Sequence, residues 1–289
     1  MMNKLKIFLE MIKFEHTIFA LPFAYLGGFL AARSLYPGGF PTFGQLFWIT
    51  LAMFGARTAA MSLNRLIDRQ IDARNPRTAD RALPAGQLKI VDVYLWVLLS
   101  FLLMGYAAYQ LSMLALKLMP IAVAVLVLYP YTKRFTWVCH FVLGIALSLA
   151  PMGAWIGITG HWAIPPILIG LGVMTWTAGF DIVYASQDLE FDQREGLHSI
   201  PARFGLTRGL QISAFLHVLA PLFLIAAGVY QNLFWFYYLG VAIAIILLFR
   251  QHRIVSDKDL SRVGAAFFNL NGYLSVILLV FTLIDLLIH

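Results

Sequence analysis

Long apolar runs alternate with short polar stretches along this chain. Nine of the runs are long enough to span a membrane: roughly 17–35, 45–63, 91–112, 114–131, 138–159, 163–184, 210–230, 232–250 and 267–288. About 20 helical residues cross a hydrocarbon core of ~30 Å, and lipid offers backbone groups no partner outside their own helix. The pattern predicts an all-α polytopic membrane protein, a bundle of nine transmembrane helices. Only the 112–114 junction lacks a clear polar break. Ahead of the first run, "NKLKIFLEMIKFEH" places Leu5, Phe8, Leu9 and Ile12 on one helical face and Lys4, Lys6 and Lys13 elsewhere. That suits an amphipathic helix over residues 1–14 lying on the membrane surface. No soluble domain or low-complexity linker interrupts the chain, so residues 1–289 are expected to form a single transmembrane domain.

Composition agrees with the pattern. The chain is 61% hydrophobic and 12% charged, where a soluble domain is about a quarter charged. Charge placement adds an orientation. With the N-terminus cytoplasmic, every one of the 21 cations falls on the cytoplasmic side except Arg33, Lys117 and Arg57, which lies inside the second run. This is the asymmetry of the positive-inside rule, and it puts the C-terminus outside. The net charge of +7 is thereby explained by loops beside anionic lipid rather than by nucleic acid. The single cysteine, Cys139, forms no internal disulfide and belongs to no metal set, so it is read as packing.

The acids are not spread evenly. One stretch, "NRLIDRQIDARNPRTADR", holds Asp68, Asp72 and Asp80; another, "DIVYASQDLEFDQREG", holds Asp181, Asp188, Glu190, Asp192 and Glu195. At about 100° per residue, Asn64, Asp68 and Asp72 project at about 0°, 40° and 80°, and Asp181, Asp188 and Asp192 fall close to one line. Both sets become one-faced ladders if their helices continue that far. The second and sixth runs both travel toward the cytoplasm as they reach these acids, so the ladders are expected to face one another and to repel unless a cation sits between them. Mg²⁺ is the economical candidate, because it takes oxygen ligands and commonly binds one or two carboxylates together with substrate phosphates. Asn64 adds a neutral carbonyl at the same spacing. Solvated loop acids without a task are the plain alternative. An ion site in a transporter is another, although no carboxylate falls at mid-membrane, where transporter sites concentrate.

Cations that suit a phosphorylated ligand lie close by: Arg74, Arg77 and Arg81 in "RNPRTADRALPAG", and Lys133 and Arg134 in "YPYTKR". Interfacial anchoring beside Tyr129 and Tyr131, or contact with lipid headgroups, is the competing use for them. Arg57, seven residues before Asn64 and hence on the same face, is expected to meet a polar cavity or a carboxylate. An arginine at the middle of a membrane helix otherwise costs about 2.5–3.5 kcal/mol.

N-x3-D-x3-D in "NRLIDRQID", followed by "NPRTADRALPAG" and paired with "DIVYASQDLEFD", resembles the UbiA superfamily of intramembrane prenyltransferases. "YPYTKR" and "LGIALSLAPMGAW" fit as well, so the likeness runs from about residue 15 to 210. Tyr184 and the spacing around it are most similar to the 4-hydroxybenzoate polyprenyltransferase branch. The resemblance implies an integral enzyme of the bacterial cytoplasmic membrane with its active site near the cytoplasmic face. It implies Mg²⁺-dependent transfer of a polyprenyl group from polyprenyl diphosphate to an aromatic acid in quinone biosynthesis. Asn64, Asp68, Asp72, Asp188 and Asp192 would hold metal. Arg77, Arg81, Lys133 and Arg134 would bind diphosphate, while Asp181, Tyr184 and Arg57 would line the acceptor side.

Ubiquinone-pathway members of that branch commonly carry Asp-Lys-Pro at the start of the first helix. Here the place reads "FEHTIFALPF", with Glu15 and His16. With "GARTAAMSLNRLIDR", this looks like a separate branch, in which 1,4-dihydroxy-6-naphthoate, on the futalosine route to menaquinone, is the alternative acceptor. A lipid headgroup transferase would show a D-G-x2-A-R type motif, which the sequence lacks. Gly153 and Gly157 in "GAWIG" are spaced to let helices approach closely. His198, Ser199, Pro201 and Arg203 in "GLHSIPARFG" suit either a cytoplasmic lid or a plain loop. Donor chain length and oligomeric state leave no mark in the sequence.

Overall fold

In the computed structural model of the chain, residues 2–12, 20–256, 259–265 and 269–289 are described. Their helices in order are α1 (Met2–Met11), α2 (Leu21–Leu35), α3 (Phe43–Arg74), α4 (Ile90–Leu111), α5 (Met113–Thr132), α6 (Cys139–Thr159), α7 (Ile164–Ala185), α8 (Leu189–Glu195), α9 (Ile200–Phe204), α10 (Leu206–Tyr230), α11 (Trp235–Ile254), α12 (Val263–Ala265) and α13 (Asn271–Ile288). A 3₁₀ turn, Ser186–Asp188, joins α7 to α8. The described residues form no β-strand beyond one isolated bridge between Ser256 and Asp259.

Eight helices among the described residues are long and apolar enough to cross a membrane. The ninth expected run, 17–35, is described from Ala20 onward. It yields α2, whose 15 residues rise about 22 Å, short of a full crossing. Glu15 and His16 lie outside the described residues.

Local chemistry sets the breaks. Ser112 ends α4 and starts α5: its backbone is extended, its hydroxyl accepts from the Ala115 amide at 3.1 Å, and the same oxygen donates to the Ile156 carbonyl at 2.9 Å. One N-capping serine thus separates two membrane helices that hydropathy alone runs together. Thr42 and Gln45 form a reciprocal capping box at the start of α3. From there α3 runs 32 residues without interruption, about 48 Å. It outruns a hydrocarbon core of ~30 Å and carries Asn64, Asp68 and Asp72 in its last turns.

Close helix approach relies on glycines other than those in "GAWIG". A Cβ on Gly27 of α2 would lie 2.4 Å from the Pro151 carbonyl oxygen of α6, and one on Gly144 would lie 2.5 Å from the Met174 carbonyl oxygen of α7. Gly157 meets only the Leu111 side chain, and a Cβ on Gly153 would touch nothing within 4 Å. Trp155, Ile169, Trp176 and Tyr237 fill the largest core cluster, packed by α2, α6, α7, α10, α11 and α13.

α1 packs against the bundle. Phe8, Met11 and Ile12 are buried in one cluster with Leu63, Leu66, Val93 and Val97. Phe8 stacks on Trp96 at 4.6 Å, and Lys4 pairs with Asp92 at 3.1 Å. Apolar side chains on α3 and α4 offer α1 a close-packed partner, which lipid does not.

Asp285, buried on α13, holds the start of α11. Its Oδ2 accepts from the Phe234 amide at 2.8 Å and its Oδ1 from the Tyr237 amide at 3.1 Å. Removing a cap costs about 1–2 kcal/mol. Asp285→Ala is expected to lower the thermal midpoint in detergent, as a thermal unfolding scan would read.

Candidate active site

Both acidic segments end in one cavity of about 790 Å³, within the usual range for small-molecule sites. One end is polar, with Asp68, Asp72, Asp181, Asp188 and Asp192 on its wall; the other runs between α3, α4, α5 and α6 past Ile49, Met104, Leu118 and Ala150 to Trp162. Along α3, Asp68 and Ile49 are 19 residues apart, about 28 Å, so the apolar arm reaches most of the way through the bundle. Arg57, Asn64, Arg77, Arg81, Lys133 and Tyr184 also line the cavity.

α3 continues unbroken through the first ladder, so Asn64, Asp68 and Asp72 share a face. The second set is not one continuous helix. At Ser186, whose hydroxyl donates to the Ile182 carbonyl at 3.1 Å, the chain passes into the 3₁₀ turn before α8. Asp181 therefore lies on α7, Asp188 in the turn and Asp192 on α8. Arg74 and Glu195, at the ends of α3 and α8, pair at 3.1 Å and tie the two segments together.

Cations stand between the ladders, and they are side chains. Lys133 Nζ lies 2.7 Å from Asp68 Oδ2, and Arg81 Nη1 lies 2.8 Å from both Asp72 oxygens. Arg77 grips Asp188 with two nitrogens, Nε at 2.9 Å from Oδ1 and Nη2 on Oδ2, and its Nη1 donates to the Tyr184 hydroxyl at 2.9 Å. Burial opposes the Arg77 charge, but the bonds to Asp188 and Tyr184 outweigh it and hold the guanidinium above its ordinary range. Asp192 takes a hydrogen bond from the Ser199 hydroxyl at 3.0 Å.

Arg134 is placed differently from the other cations. It donates to the Ile67 carbonyl at 2.6 Å, reaches Asp68 Oδ1 only at 3.6 Å and lies over the Tyr131 ring, outside the cavity wall. Arg203 is likewise outside the wall. Ser199 caps α9, and the His198 amide bonds the Lys133 carbonyl at 2.7 Å, so "GLHSIPARFG" folds over the polar end as a tied loop.

Among the described residues, no three acidic, histidine or cysteine side chains converge tightly enough to cage a metal by themselves. The donor set still fits Mg²⁺. Its ligating atoms are all oxygens, and Asp68 Oδ1 is buried without a hydrogen-bond partner. An ion that completes its shell with phosphate oxygens needs only one or two carboxylates.

Two contributors escaped the sequence reading. Asn75 Nδ2 donates to Asp188 Oδ1 at 2.9 Å, and its Oδ1 accepts from the Arg77 amide at 3.0 Å. The Asn-Pro of "RNPR" is a turn signal that could have drawn attention to it. His140, 2% exposed, bonds Asp181 through Nδ1 at 2.7 Å; a lone histidine in an apolar helix carries no such signal.

Residues 20–273 match the model of the UbiA prenyltransferase family. The chain is 31% identical over 242 residues to the 4-hydroxybenzoate octaprenyltransferase of Tolumonas auensis, covering 84% of each protein. It is 27% identical over 257 residues to the enzyme of the same name from Francisella tularensis subsp. novicida, covering 89% of each. Among solved structures, the apo UbiA homologue from Aeropyrum pernix K1 superposes with a TM-score of 0.84 at 31% identity, over 94% of this chain and 98% of that one. A UbiA homologue from Archaeoglobus fulgidus bound to GPP and Mg²⁺ shares the fold, with a TM-score of 0.70 at 18% identity over 97% of this chain and 99% of that one. With the family model matched along most of its length, the chain belongs to the UbiA prenyltransferase family.

Proposed function

We propose that this membrane prenyltransferase moves a polyprenyl group from polyprenyl diphosphate to a ring carbon of an aromatic acid bearing a phenol-type hydroxyl, with Mg²⁺ as cofactor, at the cytoplasmic face of a bacterial membrane. The observation that carries the reading is the two-ended cavity: acids and cations at one end, an apolar arm of membrane depth behind them. The relatives named 4-hydroxybenzoate octaprenyltransferase support the acceptor class, and the Archaeoglobus homologue's GPP and Mg²⁺ support the donor and metal.

Asp68, Asp72, Asp188 and Asp192, with the Asn64 carbonyl, would hold Mg²⁺. When bound, the ion supplies Lewis-acid stabilisation of the departing diphosphate. Lys133, Arg77 and Arg81 now neutralise carboxylates. With diphosphate present, the same ammonium and guanidinium groups turn to its oxygens, which provide the denser negative charge. Loss of diphosphate leaves an allylic cation, and the apolar wall keeps water from it. The electron-rich ring attacks that carbon, and the proton from the attacked ring carbon passes to the released diphosphate. Asp181, Tyr184 and Arg57 line the acceptor side, Arg57 as partner for the acceptor carboxylate. A transporter would not transform its substrate, and family membership favours the enzyme.

The departure at "FEHTIFALPF" from the Asp-Lys-Pro form keeps 1,4-dihydroxy-6-naphthoate as the second acceptor. The test is a mass-spectrometric product assay on purified protein in lipid, with a polyprenyl diphosphate, Mg²⁺ and either acid. Product from one acid is expected, with its loss in EDTA and its return on adding Mg²⁺. Absence of product from both acids, despite Mg²⁺-dependent donor binding, would overturn the acceptor assignment.

A further inference from the structure

Three of the cavity's acids are held by cations: Asp68 by Lys133, Asp72 by Arg81 and Asp188 by Arg77. Asp181 is held in another way. His140, in the first turn of α6, lies 2.7 Å from Asp181 Oδ2 through Nδ1, and its Nε2 receives the backbone N–H of Ile200 at 3.1 Å. A backbone amide only donates, so Nε2 is the acceptor nitrogen of a neutral imidazole. The proton therefore sits on Nδ1 and is donated to Asp181. This bond sets the rotamer of Asp181.

The ring is locked from both ends. His140 is 2% exposed. Ile200 opens α9, whose capping residue Ser199 donates to Asp192 at 3.0 Å and accepts from the Ala202 amide at 3.2 Å. One buried imidazole thus braces Asp181 on the acceptor side against the loop that also fastens Asp192. Both His140 and Asp181 lie on the cavity wall.

We propose that His140 is a positioning residue for the aromatic acceptor, acting through Asp181. It presents that carboxylate, fixed and charged, to accept a hydrogen bond from the acceptor's hydroxyl. The proposal rests on the acceptor-side placement of Asp181 in the proposed function. A hydrogen bond to a charged group contributes about 1.5–3 kcal/mol, equivalent to roughly 10–150-fold in rate or affinity at 1.4 kcal/mol per decade.

The test is a double-mutant cycle of His140→Leu and Asp181→Asn in full-length protein, with donor and acceptor varied separately. His140→Leu is expected to lower kcat/KM for the acceptor by at least tenfold while the donor KM stays within about twofold. Because His140 acts through Asp181, the double variant is expected to be no worse than Asp181→Asn alone. Glutamine carries both an amide donor and a carbonyl acceptor, so His140→Gln is expected to restore most of the acceptor kcat/KM, and it supplies the comparison if the leucine variant does not fold. Multiplying losses in the cycle, equal damage to donor and acceptor parameters, or a glutamine variant as impaired as Asp181→Asn would each overturn the proposal. Failure of the proposed function itself reads differently: wild-type protein would then form no prenylated product from any aromatic acid.

Discussion

Asp68→Asn is expected to reduce turnover by about a thousandfold, the scale seen when a group that stabilises a departing anion is removed. Asp68 is 2% exposed, sits beside Lys133 at 2.7 Å and keeps Oδ1 buried without a hydrogen-bond partner. Asparagine preserves the shape and removes the charge, so insertion and folding should survive; gel filtration in detergent checks that. Asp192→Asn is expected to behave alike from the opposite wall, where Asp192 bonds Ser199. Two roles for Asp68 make different demands on the kinetics. As a metal ligand, it sets the Mg²⁺ concentration for half-maximal rate, and that concentration should rise in the variant. As a mere partner of Lys133, its loss would alter donor KM and leave the Mg²⁺ dependence alone. Full activity in either variant would remove the metal assignment.

Gly27→Val is expected to produce the largest loss of stability, about 3 kcal/mol or more, at or beyond the upper end of ordinary overpacking. A Cβ there would lie 2.4 Å from the Pro151 carbonyl oxygen and 2.7 Å from its Cα. Both atoms are backbone, so no side chain can swing away and α2 must part from α6. The yield of monodisperse protein and the unfolding midpoint read the effect. Gly153→Ala is the matched control on α6, because its added Cβ meets nothing within 4 Å. Removing a mid-helix glycine should leave stability unchanged or raise it by about 0.5–1 kcal/mol.

The contrast between Gly27 and Gly153 shows where sequence reading stops. Small-xxx-small spacing drew attention to Gly153 and Gly157, yet helix backbone meets helix backbone most tightly at Gly27, Gly144 and Gly55. Spacing reports which residues share a helix face; which helix lies opposite is decided by the packing of the whole bundle. The carboxylates follow the same rule. Their periodicity was enough to bring Asn64, Asp68 and Asp72 onto one face of α3, since that depends only on an unbroken helix. It was not enough for Asp181, Asp188 and Asp192, because the chain leaves α7 through a 3₁₀ turn at Ser186–Asp188 before the second ladder is complete.

By itself, the sequence determined the membrane-embedded all-α class, the sites of most helices and the two segments that build the polar end of the cavity. Those properties rest on hydropathy and short-range spacing, which act within a helix and need no knowledge of neighbours. Only the tertiary structure decided which cation meets which acid, that α1 packs on α3 and α4, that Arg134 stays behind the wall, and that His140 meets both Asp181 and Ile200. Apart from Arg81 and Asp72, nine residues from one another, these pairings join residues 41, 60 and more positions apart in the chain, and they exist only once the helices have packed around a common cavity.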